Sequence, residues 1–130
     1  MYVKEVTETK IMKKILLVLA VILSAFAASA QKIATVTNES LTRGKASGVY
    51  VFTLPADITA AQVKDSENYY TQYFKVNYDE GKHLATITMV QDDAKARHVI
   101  ERFMVSLQIR TFKMGENDYT FKELYDQYLR

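Results

Sequence analysis

The chain contains no cysteine and no tryptophan, and it has one proline and four glycines in 130 residues. Without cysteine there can be no disulfide, no thiolate metal ligand and no thiol nucleophile. Thiol–disulfide exchange and cysteine catalysis are therefore excluded. The sequence also lacks a glycine-rich phosphate-binding loop. Its fold therefore depends on the packing of apolar side chains, which make up 48% of the residues.

Long hydrophobic runs are scarce, and the one clear run, at residues 15–30, directly follows Met12-Lys13-Lys14. A charged start, a short apolar stretch and small residues ending at Ala30 are typical of a secretory signal peptide. The run is shorter and more interrupted than the about 20 apolar residues of a membrane span. We therefore predict an exported protein, periplasmic or secreted, that is cleaved after Ala30 and is not stably inserted in a membrane.

Composition divides the chain into four segments. We interpret residues 1–11 as an over-extended start and residues 12–30 as the signal peptide. Residues 31–47 are weakly patterned and are expected to form a flexible lead-in, in which Ile33 and Val36 could form a short strand. Residues 48–130 are expected to form one domain. Four of the 17 Lys and Arg residues and two of the 15 Asp and Glu residues precede Gln31, which leaves 13 of each. A neutral domain argues against nucleic acid as a partner.

Hydrophobic periodicity predicts the elements of this domain. Strands are expected at residues 48–54, 74–78, 84–90 and 109–114. Helices are expected at residues 59–71, after Asp92-Asp93, and from Thr120, which forms a capping box with Glu123. This order predicts an α+β protein, a ferredoxin-like βαββαβ sandwich with an additional C-terminal helix, in which two crossover helices cover one face of a four-stranded antiparallel sheet.

The same periodicity separates the core from the surface. The helix after Asp93 carries an apolar stripe at Ala96, Val99, Ile100, Phe103, Met104 and Leu107. The hairpin strands are expected to bury Phe74, Val76, Ile87 and Met89. The opposite sheet face is semi-apolar, and we expect the C-terminal helix to cover part of it.

Residues 48–114 resemble the heavy-metal-associated domains of copper chaperones in length and element order. That family carries Met-x-Cys-x-x-Cys between its first strand and first helix, where this chain has Leu54-Pro55-Ala56-Asp57-Ile58-Thr59. The resemblance implies the fold, but copper binding does not carry over because both thiols are absent. The ending Phe121-Lys122-Glu123-Leu124-Tyr125 is similar to that of small exported bacterial proteins of unknown function, and this implies no activity.

Residues suited to catalysis or metal binding are few. Neither His83 nor His98 has a second His or a Cys at a spacing of three or four residues, so a metal site would need ligands from separate elements. The acidic pairs Asp79-Glu80 and Asp92-Asp93 are more typical of a turn and a helix cap than of a catalytic pair. We therefore predict a protein that is not an enzyme and that uses no metal or cofactor.

Tyrosine is frequent, with nine residues. These side chains can pack together with their hydroxyls in water, or they can form a binding surface, where Tyr is enriched. The candidate partner surface comprises Tyr69, Tyr73, Lys75, Asn77, Thr86, Thr88, Tyr125 and Tyr128. We predict a non-catalytic binding module for an unknown protein or small ligand of the cell envelope. The alternative is a periplasmic sensor or weak metal-binding regulatory module related in fold to heavy-metal-associated domains.

Overall fold

The computed structural model describes residues 32–130, so the predicted start extension and signal peptide lie outside the described part. The strands are β1 (Lys32–Thr35), β2 (Val49–Thr53), β3 (Phe74–Asp79), β4 (Leu84–Met89), β5 (Ile109–Met114) and β6 (Asn117–Thr120). The helices are α1 (Asn38–Ser47), α2 (Ala60–Glu67), α3 (Ala94–Ser106) and α4 (Phe121–Leu124), and α4 continues as a π-helical turn at Tyr125–Leu129.

The strands form one sheet in the order β3-β4-β2-β1-β5-β6. Strand β1 is parallel to β5, and every other pair of neighbours is antiparallel. The α+β class is therefore confirmed. The predicted four-stranded antiparallel sheet is wrong, because β1 lies between β2 and β5 and β6 adds an edge beyond β5.

The segment before β2 is not a flexible lead-in, and that prediction is wrong. It supplies strand β1 to the sheet and forms helix α1. Helix α1 begins after Thr37, whose hydroxyl accepts a hydrogen bond from the Ser40 N–H at 3.0 Å. It ends at Gly48, which has a φ of 77° that favours glycine. The hydrophobic pattern is weak here because β1 buries only Ala34 and α1 buries only Leu41 and Gly44.

Helix α1 lies beside β2, where a longer β1 would otherwise pair. Strand β1 pairs with β2 at a single position, and the exposed backbone groups of β2 beyond it bond to side chains of α1. The Ser40 hydroxyl donates to the Val51 carbonyl oxygen at 3.3 Å, and the Val49 N–H donates to Ser47 Oγ at 3.3 Å. These two serines therefore satisfy backbone groups that a neighbouring strand would have satisfied.

The core lies between the sheet and one layer of helices, largely as the periodicity predicts. On α3 the buried apolar side chains are Ala96, Ile100, Phe103 and Met104, with Leu107 buried just beyond its end, and Val99 is half-buried. On the hairpin, Phe74, Ile87 and Met89 are buried and Val76 is half-buried. The aromatic rings of the core meet edge to face, as Phe103 and Phe74 do at a centroid distance of 5.8 Å.

The C-terminal helix packs on this same core face, so the prediction that it covers part of the opposite face is wrong. Phe121 contacts the core residue Phe112 edge to face at 5.6 Å, and Leu124 and Leu129 are fully buried. Burial against an existing aromatic core removes more apolar surface from water than the semi-apolar opposite face offers. That opposite face, called the open face below, is thus left uncovered by α2, α3 and α4.

The burial pattern of β5 and the presence of β6 depend on backbone pairing and not on hydrophobic alternation. Ile109 and Phe112 are both buried, although they are three residues apart, because the β1–β5 register shifts by one residue between them. The polar sequence of β6 pairs with β5 across a turn at Gly115, whose φ is 64°. Strand β6 is an edge strand that hydrophobic alternation does not predict, because its residues are mainly polar.

Helix α2 is shorter than predicted and ends at Glu67, not at residue 71. Its Thr59 N-cap and the reciprocal capping box with Gln62 are present. Beyond Glu67 the chain forms a tight turn, in which the Tyr70 N–H donates to the Glu67 carbonyl oxygen at 2.8 Å. Tyr69, a residue of the predicted helix, is 81% exposed.

The Thr120→Ala substitution is expected to lower the free energy of unfolding by about 1 kcal/mol. Thr120 Oγ1 accepts the Glu123 N–H at 3.2 Å and caps α4, and alanine leaves this donor without its partner. Thermal denaturation measures the effect. Thr71→Ala, a change of an exposed threonine outside the regular elements, is the control. Equal stability of Thr120→Ala and the unchanged protein would contradict the role of the cap.

Candidate functional site

A groove of about 500 Å³ lies on the open face of the sheet, between α1 and β2. Its apolar lining comes from Val36, Val49, Val51 and Leu84. Its rim carries hydroxyl groups together with one acidic and one basic side chain, from Thr35, Thr37, Thr53, Ser40, Ser47, Glu39 and Arg43. The groove exists because α1 lies beside β2, so that Glu39, Ser40, Arg43 and Ser47 form one wall of it.

Strand alternation places the floor of the groove. Tyr50 and Phe52 are fully buried in the core, so the intervening Val49 and Val51 point to the open face and stay half-buried. Leu84, on β4, pairs with Thr53, the last residue of β2, and adds a third apolar side chain to the floor of the groove. Apolar side chains that remain partly accessible to water at the bottom of a concave surface are suited to binding an apolar group.

The polar groups on the α1 side of the rim are already paired within the protein. Arg43 forms an ion pair and hydrogen bond with Glu39 one turn earlier. The Ser47 hydroxyl donates to the Arg43 carbonyl oxygen at 2.8 Å, and the Ser40 hydroxyl donates to β2 as described above. Because these groups have partners, this side of the groove offers few free donors or acceptors to a polar ligand.

The structure separates the predicted partner surface into three places. Four of its residues lie together on the open face, in the cross-strand pairs Lys75 with Thr88 and Asn77 with Thr86. Thr86 and Thr88 also pair with Val51 and Val49, so this group adjoins the floor of the groove. The other four, Tyr69, Tyr73, Tyr125 and Tyr128, do not lie on the open face.

Tyr69 and Tyr73 lie in the connection between α2 and β3. Tyr125 and Tyr128 belong to the π-helical turn at the C-terminus. The Tyr125 hydroxyl donates to the Ala94 carbonyl oxygen at 3.2 Å, and the Tyr128 ring meets Tyr119 edge to face. Both C-terminal tyrosines are partly buried against the core, which is a structural role.

Sequence reasoning missed the α1 side of the groove. Glu39, Ser40 and Arg43 lie in the segment that was expected to be a lead-in. A signal was present, since Thr37 and Gly48 have the spacing of an N-cap and a terminating glycine for a helix of ten residues.

A buried polar cluster joins β2, α3 and the C-terminal turn. The Tyr50 hydroxyl and Arg97 Nη1 both donate to Asp92 Oδ1, at 3.1 and 2.9 Å, and Arg97 Nε donates to the Leu129 carbonyl oxygen at 2.5 Å. Burial raises the pKa of Tyr50 well above its ordinary value, and the negative charge of Asp92 raises it further. The phenol therefore stays protonated as a donor, and the cluster fixes the C-terminus.

The two histidines lie on different elements of the fold. His98 is on α3, where Nε2 lies 3.2 Å from Glu101 Oε2 and the ring lies 4.7 Å from that of Tyr125. His83 has a φ of 59° at the start of β4. Within residues 32–130, neither belongs to a group of three histidine or acidic side chains that could hold a metal ion. Metal-free function stays a prediction.

Known proteins offer no guide to this arrangement. Comparisons with protein-family models, with curated proteins and with solved structures give no match. The resemblance to heavy-metal-associated domains therefore stays a prediction. In the described part of the chain, no helix is both long and apolar enough to cross a membrane.

Proposed function

We propose that the protein is an exported, non-catalytic binding module that holds an apolar side chain of a partner protein in the groove between α1 and β2. The observation that carries this proposal is an apolar floor beneath a rim whose α1 side is internally paired. The groove volume of about 500 Å³ lies within the range of about 300–1,000 Å³ that is common for binding sites.

A protein is favoured over a small polar ligand because the groove continues into a polar surface. The cross-strand pairs of Lys75 with Thr88 and Asn77 with Thr86 extend from the groove across the open face. An apolar centre with a polar rim is the usual composition of a protein–protein interface. Equal numbers of acidic and basic residues after the predicted cleavage site favour a partner chosen by shape over one chosen by charge.

The fold supports a related proposal about architecture. We infer that β2, α2, β3, β4, α3 and β5 form a ferredoxin-like unit into which β1 is inserted. Removing β1 from the observed order leaves β3-β4-β2-β5, in which every neighbouring pair is antiparallel in direction. Strand β1 separates β5 from β2, and α1 lies beside the part of β2 with which the short β1 does not pair.

The function is tested with a phage-displayed random peptide library selected on residues 31–130. We expect selected peptides to share an apolar residue, and Val51→Lys to weaken their binding at least about tenfold, or about 1.4 kcal/mol. The reason is that the lysine places a charge on the groove floor. Val51 points outward, so the variant should still fold, and circular dichroism checks this.

The matched control is Val90→Lys, since Val90 is 61% exposed and does not line the groove. Binding by the control should equal that of the unchanged protein. The proposal is contradicted if selection yields no binder, or if both valine variants bind the selected peptides as well as the unchanged protein does.

A further inference from the structure

A second concave site lies between the loop after α2 and the loop after β4. It has a volume of about 370 Å³ and is lined by Gln72, Tyr73, Gln91, Asp93 and Lys95, with Ala96 beneath them. We propose that this site, called the amide pocket, binds a saccharide. This inference is separate from the proposed function, because none of these residues lines the groove.

The polar side chains of the amide pocket are uncommitted, unlike those on the α1 side of the groove. Within residues 32–130, the side chains of Gln72, Gln91, Lys95 and Tyr73 form no hydrogen bond or ion pair with another residue. Asp93 uses Oδ1 to cap α3, where it accepts the Ala96 N–H at 2.8 Å, and its second oxygen is left for a ligand. Several free donors and acceptors therefore converge on one small space.

Backbone hydrogen bonds hold the two loops together beneath these side chains. The Val90 N–H donates to the Tyr73 carbonyl oxygen at 2.9 Å, which links one loop to the other. The Tyr73 N–H donates to the Tyr70 carbonyl oxygen at 2.9 Å, and the Asp93 N–H donates to the Gln91 carbonyl oxygen at 3.1 Å. The backbone of both pocket walls is thus held in place before a ligand arrives, so binding has to order only the side chains.

The chemistry of these groups matches a sugar ring. A primary amide presents one acceptor and two donors side by side, and two such amides can each bond adjacent hydroxyl groups. The half-buried ring of Tyr73 offers an apolar surface for the C–H face of a sugar, while its hydroxyl remains available. One carboxylate and one ammonium group, from Asp93 and Lys95, balance in charge, which favours a neutral ligand over an anion.

The proposal is tested with a glycan microarray probed by residues 31–130, followed by calorimetric titration of the saccharides that bind. We expect at least one neutral saccharide to bind, and the double variant with Gln72→Ala and Gln91→Ala to lose this binding. Both side chains are exposed, so the variant should fold normally. The control is Gln127→Ala, a change of an exposed glutamine in the C-terminal turn, which should leave the affinity unchanged.

Two results would overturn the inference. One is that no saccharide binds at millimolar concentration, and the other is that the double glutamine variant binds as tightly as the Gln127→Ala control. Val51→Lys should keep its saccharide affinity, so failure of the groove and failure of the amide pocket are distinguished by separate measurements.

Discussion

Replacing Phe103 by alanine is expected to lower the free energy of unfolding by about 3–5 kcal/mol. Phe103 is fully buried in the last turn of α3, and the centroid of its ring lies 5.8 Å from that of Phe74 and 6.5 Å from that of Tyr70, both edge to face. Removing the ring forfeits its burial and leaves a cavity among aromatic side chains that cannot collapse fully. Urea denaturation followed by circular dichroism measures the loss.

Val105→Ala is the matched control for Phe103→Ala. It lies two residues further along the same helix and is 40% exposed, so its truncation leaves no enclosed cavity. We expect Val105→Ala to lower the free energy of unfolding far less than Phe103→Ala does. If the two substitutions destabilise the protein equally, the assignment of the α3 stripe to the centre of the core is wrong.

Gly44→Ala is expected to destabilise the protein by about 1–3 kcal/mol. A Cβ atom on Gly44 would lie 2.2 Å from Cδ1 and 2.3 Å from Cε1 of the Tyr50 ring, far inside van der Waals contact. The ring cannot move aside easily, because it is fully buried and its hydroxyl is bonded to Asp92. Alanine improves helix propensity by about 1 kcal/mol, but the overlap outweighs this gain.

The Gly44→Ala effect extends to the groove, because relief of the overlap has to push α1 away from β2. We therefore expect lower affinity for the peptides selected on the unchanged protein, measured alongside thermal denaturation. Gly81→Ala is the matched control, since its added Cβ would meet only Asp79 Oδ1, at an ordinary 3.5 Å. A Gly44→Ala protein of unchanged stability would show that α1 does not approach β2 as closely as described.

The parts of the fold that could be predicted are those with strong local periodicity. Helix α3 and the β3–β4 hairpin bury regular stripes, so their positions and core faces follow from side-chain spacing alone. The cap at Thr120 was also identifiable, because the capping threonine and its partner Glu123 lie three residues apart. These features are short-range, and short-range patterns are visible in a single sequence.

The parts that could not be predicted depend on distant pairing. Strand β1 has four residues and buries one side chain, Ala34, so nothing in its own sequence indicates that it lies between β2 and β5. The small side chain of Ala34, paired with Phe112, leaves room for Phe112 to meet Phe52 edge to face at 6.1 Å. Strand β6 is polar, and only its backbone pairing with β5 makes it a strand.

The candidate site was likewise only half predictable. Alternation along β2, β3 and β4 places Val51, Lys75 and Thr86 on the open face, and the structure confirms that placement. The other wall of the groove comes from α1, whose position follows from the insertion of β1 and not from any local motif. The tyrosines of the C-terminal turn were candidates either for packing or for the partner surface, and the structure packs both against the core.

The position of β1 between β2 and β5 is the central feature of the fold, since it gives α1 its place and creates the groove. Nuclear Overhauser contacts in residues 31–130 measure this directly by NMR. We expect this position to give backbone contacts of Ala34 with Phe112 and of Thr35 with Thr53. Direct backbone contacts between β2 and β5, with no cross-strand contacts from residues 32–35, would contradict it.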